Sequence, residues 1–314
     1  MRLHSVLRMD SLGYTRTSSI VLLTLMMLST QVGFTGFSAA AEAADSGDLT
    51  GVSVLVMYTS NQAYGSAFAL HNMFEWMNAT AEYMNADSIN NDTLSGYDIL
   101  VAPGGSAATY SATLGTEGRE AIRNFVSKGG SYFGICGGAL LGCRYALGLF
   151  DGVMRQPVPG VESGTYMIQL AVNQSCLGPD LSDEPENITT LYWESAYLDP
   201  DDWTGIHPIT TYLGGEYSPM VAFEYEDGSV FLSSPHPEYE ENDDRDGTDA
   251  FDDLEDPDSE WGLMLKVARW LVDVSPSSST ETETTTGSDT PYIPFAVAIG
   301  VVALVAVVIV KRSR

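Results

Sequence analysis

Cys136 sits in the run Gly134-Ile135-Cys136-Gly137-Gly138, and His236 sits in Pro235-His236-Pro237-Glu238. A thiol attacks a carbonyl once a base takes its proton, and that base works best when an acid holds its ring. The cysteine falls between the apolar stretch Ser131–Ile135, which reads as a strand, and a segment from Ala139 to Leu149 that reads as helical. A strand-to-helix elbow imposes unusual dihedrals on its central residue, and flanking glycines remove the Cβ atoms that would clash there. The start of the helix adds N–H groups and the positive end of a dipole, which favour a thiolate. The N–H of Gly137 is placed to serve an oxyanion. The same run also suits a buried structural cysteine, because a free cysteine behaves as a small hydrophobe.

The base must be a histidine outside the two termini, and the choices are His71, His207 and His236. His71 falls inside an expected helix, and His207 precedes a proline in an irregular stretch. His236 alone follows a strong strand and has a carboxylate, Glu238, two residues on. A plain loop histidine between two prolines is the other reading of that segment.

Positioning these groups requires a particular order of elements. Gly51–Tyr58 is a valine-rich run that reads as a buried strand, and Ala67–Met77 carries apolar residues at helical spacing. A weaker strand covers Ala81–Met84, and Tyr97–Ala102 is a further apolar strand stopped by Pro103-Gly104-Gly105. Thr116 suits the N-cap of a helix through Ser127, which Lys128-Gly129-Gly130 would close. Alternating strands and helices predict a mostly parallel, flavodoxin-like α/β sheet flanked by helices. Beyond residue 151 the pattern changes. Tyr166–Val172, Thr189–Trp193, Met220–Glu226 and Val230–Ser233 are short strands, which predicts antiparallel hairpins at the sheet edge with a turn at Glu226-Asp227-Gly228. Trp261–Val272 is a final amphipathic helix.

The ends of the chain read differently. Residues 1–44 have arginines at 2, 8 and 16 and an apolar core, Ile20–Leu28, too short for a comfortable span. They predict a secretory signal cleaved at Ala39-Ala40-Ala41 or Ala41-Glu42-Ala43, with an uncleaved anchor as the alternative. Residues 275–291 form a Ser/Thr-rich stalk, 292–310 a transmembrane helix, and 311–314 a basic tail that stays in the cytoplasm. The folded part, residues 45–274, would then face the extracytoplasmic side of the cell membrane. Four sequons, at Asn78, Asn91, Asn173 and Asn187, suit that surface.

The chain carries 42 acidic and 14 basic residues, a net charge of −28, with lysines at 128, 266 and 311 alone. So acidic a surface argues against nucleic acid and anionic lipid as partners. High external salt would screen its self-repulsion, which points to a salt-loving host. Three cysteines in an oxidising compartment leave at least one thiol free or paired with another chain. The expectation is that Cys143 and Cys176 pair and that Cys136 stays reduced.

Pro103-Gly104-Gly105, Gly134-Ile135-Cys136-Gly137-Gly138 and Pro235-His236-Pro237-Glu238, in that order, resemble the landmarks of the class I glutamine amidotransferase-like superfamily. Within it, the run from Tyr97 through Ala139 and the strand before His236 resemble the biotin-protein ligase N-terminal domain family. The resemblance implies a nucleophile at Cys136, a base at His236, an orienting acid at Glu238 and oxyanion N–H groups at Gly105 and Gly137. It implies no cofactor. One departure matters: amidotransferases usually carry glutamine four residues after the cysteine, where this chain has Leu140. Glutamine as substrate is therefore not implied, and with no biotin ligase catalytic domain read in the sequence, neither is biotinylation.

The segment from Glu238 to Glu260 holds alternating oxygen ligands before a glycine, so Asn242, Asp244, Asp246 and Asp253 are weak calcium candidates. Asp249 and Asp253 depart from that loop's pattern, and a solvated acidic insertion is the better reading. No zinc spacing of Cys or His occurs. Three functions are compatible with these features. The leading one is a cysteine-dependent hydrolase or amidase acting on a small molecule or peptide. A catalytically inactive binding or scaffold domain on the same fold is the alternative, and a calcium-dependent adhesion module stands third.

Overall fold

Residues 48–59, 64–240 and 244–275 are described by the computed structural model, without the side chains of Tyr64 and Asp244. The expected signal, the stalk beyond Ser275 and the membrane span at 292–310 lie outside these residues. Among the described residues, no helix is long and apolar enough to cross a membrane.

In chain order the elements are β1 (Ser53–Tyr58), α1 (Tyr64–Trp76), β2 (Thr80–Asn85), α2 (Asn91–Leu94), β3 (Ile99–Ala102), α3 (Ala107–Ser127), β4 (Ser131–Ile135) and α4 (Gly137–Gly142). They continue with β5 (Gly152–Arg155), β6 (Thr165–Val172), β7 (Asn187–Trp193), β8 (Tyr197–Pro200), β9 (Ile206–Tyr212), β10 (Met220–Tyr225), β11 (Gly228–Ser233) and α5 (Trp261–Val274).

Side chains along a strand alternate between faces, and in β1 both faces are apolar. Val54 and Val56 join a layer with Leu70, Met73 and Phe74 of α1 and Val267 and Leu271 of α5. Leu55 and Met57 join the opposite layer, with Ile122 and Val126 of α3 and Leu141 of α4. Helices therefore cover both faces, which is why β1, β3 and β4 read as unbroken apolar runs rather than alternating ones.

Nine strands form one sheet in the order β2-β1-β3-β4-β11-β10-β9-β6-β7. The first five are parallel, and the rest add on antiparallel. With β11 as the fifth parallel strand, the order is the doubly wound 2-1-3-4-5 of flavodoxin-like sheets. Strands β5 and β8 pair separately as a two-stranded ribbon. The expected hairpins are present, and Glu226 takes φ 53° at the β10–β11 turn.

Several boundaries differ from expectation. Helix α3 starts at Ala107, capped by Ser106, and bends at Gly115 (φ 61°, ψ −162°), beside the expected cap at Thr116. Helix α4 stops at Gly142 instead of running to Leu149. The chain there folds back through turns, with Leu147 N–H donating to Leu141 O at 2.9 Å and Gly148 N–H to Cys143 O at 3.0 Å. Strands β5, β8 and β9 were not expected. The first and second have four residues each, and β9 contains Pro208, opposite a register shift at Met220/Val221.

The expected pairing of Cys143 with Cys176 does not occur, for all three cysteines are free. Cys143 belongs to the apolar layer on one face of the sheet and Cys176 packs against the layer on the other. The sheet stands between them, and a disulfide needs Cα atoms within about 7 Å.

Candidate active site

Strands β4 and β11 are neighbours and parallel, with Ile135 opposite Ser233. Their C-terminal ends thus emerge side by side, the edge where open α/β sheets place ligands. Cys136 follows β4 directly, and its N–H donates to Ser233 O at 2.7 Å. His236 follows β11, and its N–H donates to Leu191 O at 3.0 Å.

Cys136 adopts φ 48°, ψ −106° at the start of α4, a conformation that L-residues rarely hold. Close backbone contacts keep it there. A Cβ on Gly137 would run into the carbonyl of Gly105, and one on Gly138 into the carbonyl of Ala102. Gly138 N–H also donates to Pro103 O at 3.1 Å. The Pro103-Gly104-Gly105 loop is therefore pressed against the elbow, with no room between them for a side chain. Gly105 directs its N–H at the Cys136 thiol.

His236 is 2% exposed. Its Nδ1 lies 2.9 Å from Oε1 of Glu238, which is fully buried. Ser66, on α1, donates its hydroxyl to the same Oε1 at 2.6 Å and accepts the N–H of Gly104 at 2.9 Å. A Cβ on Gly104 would fall 2.8 Å from His236 Cε1 and 3.2 Å from Ser66 Oγ. The rings of Trp193 and Tyr239 flank the imidazole at 5.6 and 5.8 Å between centroids. Among the described residues His236 Nε2 has no other partner, and it acts on Cys136 through charge and hydrogen bonding.

Burial pushes the Cys136 thiol up, but the charge and hydrogen bond of His236, with the Gly105 N–H, more than offset it and hold the thiol below its ordinary value. Burial pushes His236 down, and the charges of Glu238 and Cys136 reverse this, raising it to about 10. Both shifts favour a thiolate paired with an imidazolium. Tyr110, which donates to Gly104 O at 3.0 Å, is raised by its own burial and then by the Cys136 charge.

Cys136, His236, Glu238, Gly105 and Gly137 thus come together. Ser66 was missed, since a serine inside a helix carries no local signal, and so were Trp193 and Tyr110. The calcium candidates do not gather as a set among the described residues. Asp246 is buried, and both its carboxylate oxygens accept backbone N–H groups, from Glu240 at 3.1 Å and Thr248 at 2.8 Å. Asp253 is exposed, while Asn242 and the Asp244 side chain lie outside the described residues. The acidic segment is less solvated than expected: Phe251 packs on Trp193 and Tyr239, and Arg245 lies over Trp261. A cavity of about 710 Å³ opens among Gly51, Tyr97, Phe125 and Gly130, near the opposite ends of the parallel strands and away from Cys136.

Residues 52–151, which include Cys136 and exclude His236, match the family model described as biotin-protein ligase, N terminal. An uncharacterized protein of Chlamydia muridarum is 28% identical over 159 residues, or 45% of this chain and 60% of that protein's length. The chain thus spans less than two thirds of this curated relative. A ThuA-like protein from Bacteroides uniformis aligns in structure with a TM-score of 0.50 at 12% identity, over 73% of this chain and 95% of the other. That likeness is one of fold. A glutamine amidotransferase from Thermotoga maritima aligns with a TM-score of 0.49 at 16% identity, over 72% of this chain and 99% of the other.

Proposed function

We propose that this domain, which matches the biotin-protein ligase N-terminal model over residues 52–151, is a cysteine-dependent hydrolase of amides or activated esters. The observation that carries the reading is the buried chain from Ser66 through Glu238 and His236 to a strained Cys136. Strain, burial and paired titration shifts collect at sites of chemistry.

In this mechanism the Cys136 thiolate attacks the substrate carbonyl, forming a C–S bond. The carbonyl oxygen takes the negative charge and is held by the N–H groups of Gly105 and Gly137. Collapse of that intermediate breaks the C–N or C–O bond, and the His236 imidazolium gives its proton to the leaving group. A water, deprotonated by His236, then attacks the thioester, releasing the acid and restoring the thiolate. Glu238 holds the imidazole Nδ1 throughout, and Ser66 holds Glu238.

The reading extends to location. The apolar residues 293–310, followed by Lys311 and Arg312, support a single membrane span. The domain would then act outside the cytoplasm.

The rival is a binding or scaffold domain, and Leu140 favours it, since amidotransferases usually carry glutamine at that position. The test is turnover of p-nitrophenyl acetate by the full chain. An acetyl adduct on Cys136 that forms and clears over many cycles, and is absent in Cys136→Ala, supports the hydrolase. An adduct that forms and never clears, or no adduct, leaves the scaffold.

A further inference from the structure

A peptide group is planar and trans, so its C=O and the N–H that follows point in opposite directions. The Gly104 carbonyl and the Gly105 N–H belong to one such plane, and the N–H faces the Cys136 thiol. The carbonyl therefore faces away from the thiol, and there it accepts the Tyr110 hydroxyl at 3.0 Å. Tyr110 lies in the first turn of α3 and is 1% exposed. Gly104 is buried and Gly105 exposed. The plane thus crosses the wall of the site, with its carbonyl inside and its N–H outside.

Such a plane needs a restraint. Both residues around it are glycines, and Gly105 takes φ 137°, a conformation open to glycine. With no Cβ on either side, a Gly–Gly link rotates more freely than any other. Ser66 fixes the preceding plane through the Gly104 N–H, and the following plane carries the Gly105 carbonyl that presses on Gly137. The Tyr110 hydroxyl acts on the plane between them. Burial, and then the Cys136 charge, push that hydroxyl up, so it stays protonated and remains a donor.

We propose that Tyr110 is a positioning residue for the oxyanion site: its hydroxyl holds the Gly104 carbonyl so that the Gly105 N–H meets the charged oxygen of the intermediate. The proposal rests on the hydrolase reading above and adds a residue beyond Cys136, His236 and Glu238. Being buried, Tyr110 touches no substrate and acts through the peptide plane. Tyr132 is its natural control. It is fully buried in the same apolar layer and donates to Gly138 O at 2.7 Å. The plane of that carbonyl carries the Ala139 N–H, which is not an oxyanion donor.

The test compares full-length Tyr110→Phe and Tyr132→Phe with the wild type. Each variant loses one buried hydroxyl, a loss smaller than the stability of an ordinary domain, and denaturation midpoints check that both are folded. Two reagents then read Cys136 at one pH. With p-nitrophenyl acetate the thiolate forms a C–S bond at the carbonyl carbon, the carbonyl oxygen carries the charge, and p-nitrophenolate leaves. With iodoacetamide the thiolate displaces iodide from a methylene carbon, and no oxyanion forms. The ratio of the acylation rate to the alkylation rate cancels any change in the amount of thiolate. Losing an oxyanion donor outright costs about 100–1,000-fold. A donor left in place but free to rotate keeps part of that, so Tyr110→Phe should lower the ratio at least ~10-fold. Tyr132→Phe should leave it near the wild-type value. A Tyr110→Phe ratio equal to the wild type's, or an equal fall in both variants, overturns the proposal and leaves the hydrolase. A wild-type Cys136 inert to both reagents overturns both.

Discussion

Ser66 Oγ lies 2.6 Å from Glu238 Oε1, joining the first helix to the far side of the site across 172 residues of sequence. Glu238 is thereby held at Oε1 by two donors, the Ser66 hydroxyl and the His236 ring. Ser66→Ala removes one of them and leaves Gly104 N–H without its acceptor. The expected cost is about 1–3 kcal/mol, read as a lower denaturation midpoint at unchanged slope. Cys136 alkylation should also need higher pH, because a loosened Glu238 holds the imidazolium less well.

The thiol and imidazole shifts give a pH dependence of definite sign. Iodoacetamide should alkylate Cys136 well below the ordinary thiol value of about 8.5, because His236 and the Gly105 N–H lower it against burial. In His236→Ala, burial and the Glu238 charge push the thiol up against the Gly105 N–H alone. The profile then moves up, and the rate at neutral pH falls about tenfold for each unit moved. At the other limb, turnover should decline as pH passes about 10, where His236 gives up the proton that the leaving group needs.

Backbone strain at the elbow separates stability from chemistry. Cys136 holds φ 48°, ψ −106°, which costs a β-carbon residue about 1–3 kcal/mol. Glycine is free of that cost. Cys136→Gly should therefore be more stable than Cys136→Ala by about 1 kcal/mol once unfolded-chain entropy is set against it. Both variants lack the thiol, so chemical denaturation compares strain alone.

The free cysteines predict a simple stoichiometry. The full chain, denatured without reductant, should take up three alkyl groups. In the native protein Cys136 should react first and Cys143 last, since burial pushes Cys143 up to about 12. An uptake of one group after denaturation, located at Cys136, would mean that Cys143 and Cys176 are bonded after all.

The nucleophile and its base were legible because each follows an apolar strand and stands among residues with a backbone reason to be there. Gly137 and Gly138 touch carbonyls, and the prolines around His236 end β11. Ser66 was illegible, since its partners come from the Gly104 loop and from Glu238, and only the assembled sheet brings these to α1. The same holds for Trp193: an aromatic at the end of an edge strand meets His236 only because the Leu191 carbonyl bonds His236 N–H. The cysteine pairing failed for a related reason, since spacing along the chain does not say which face of a sheet a residue joins. Strand β9 was hidden by Pro208, and α4 was overextended because its apolar periodicity continues through turns.

The parallel pairing of β4 with β11 has a consequence for the nascent chain. Ser131 and Ser229, opposite each other in that pair, are 98 residues apart. At ~5–20 residues per second of synthesis, the elbow cysteine leaves the ribosome roughly 5–20 s before the strand that delivers its histidine. Until then the thiol has no imidazolium beside it and keeps the low reactivity of an ordinary cysteine. Activation is thus deferred to the completion of the sheet, and a truncated or stalled product carries an idle thiol in place of a reactive one.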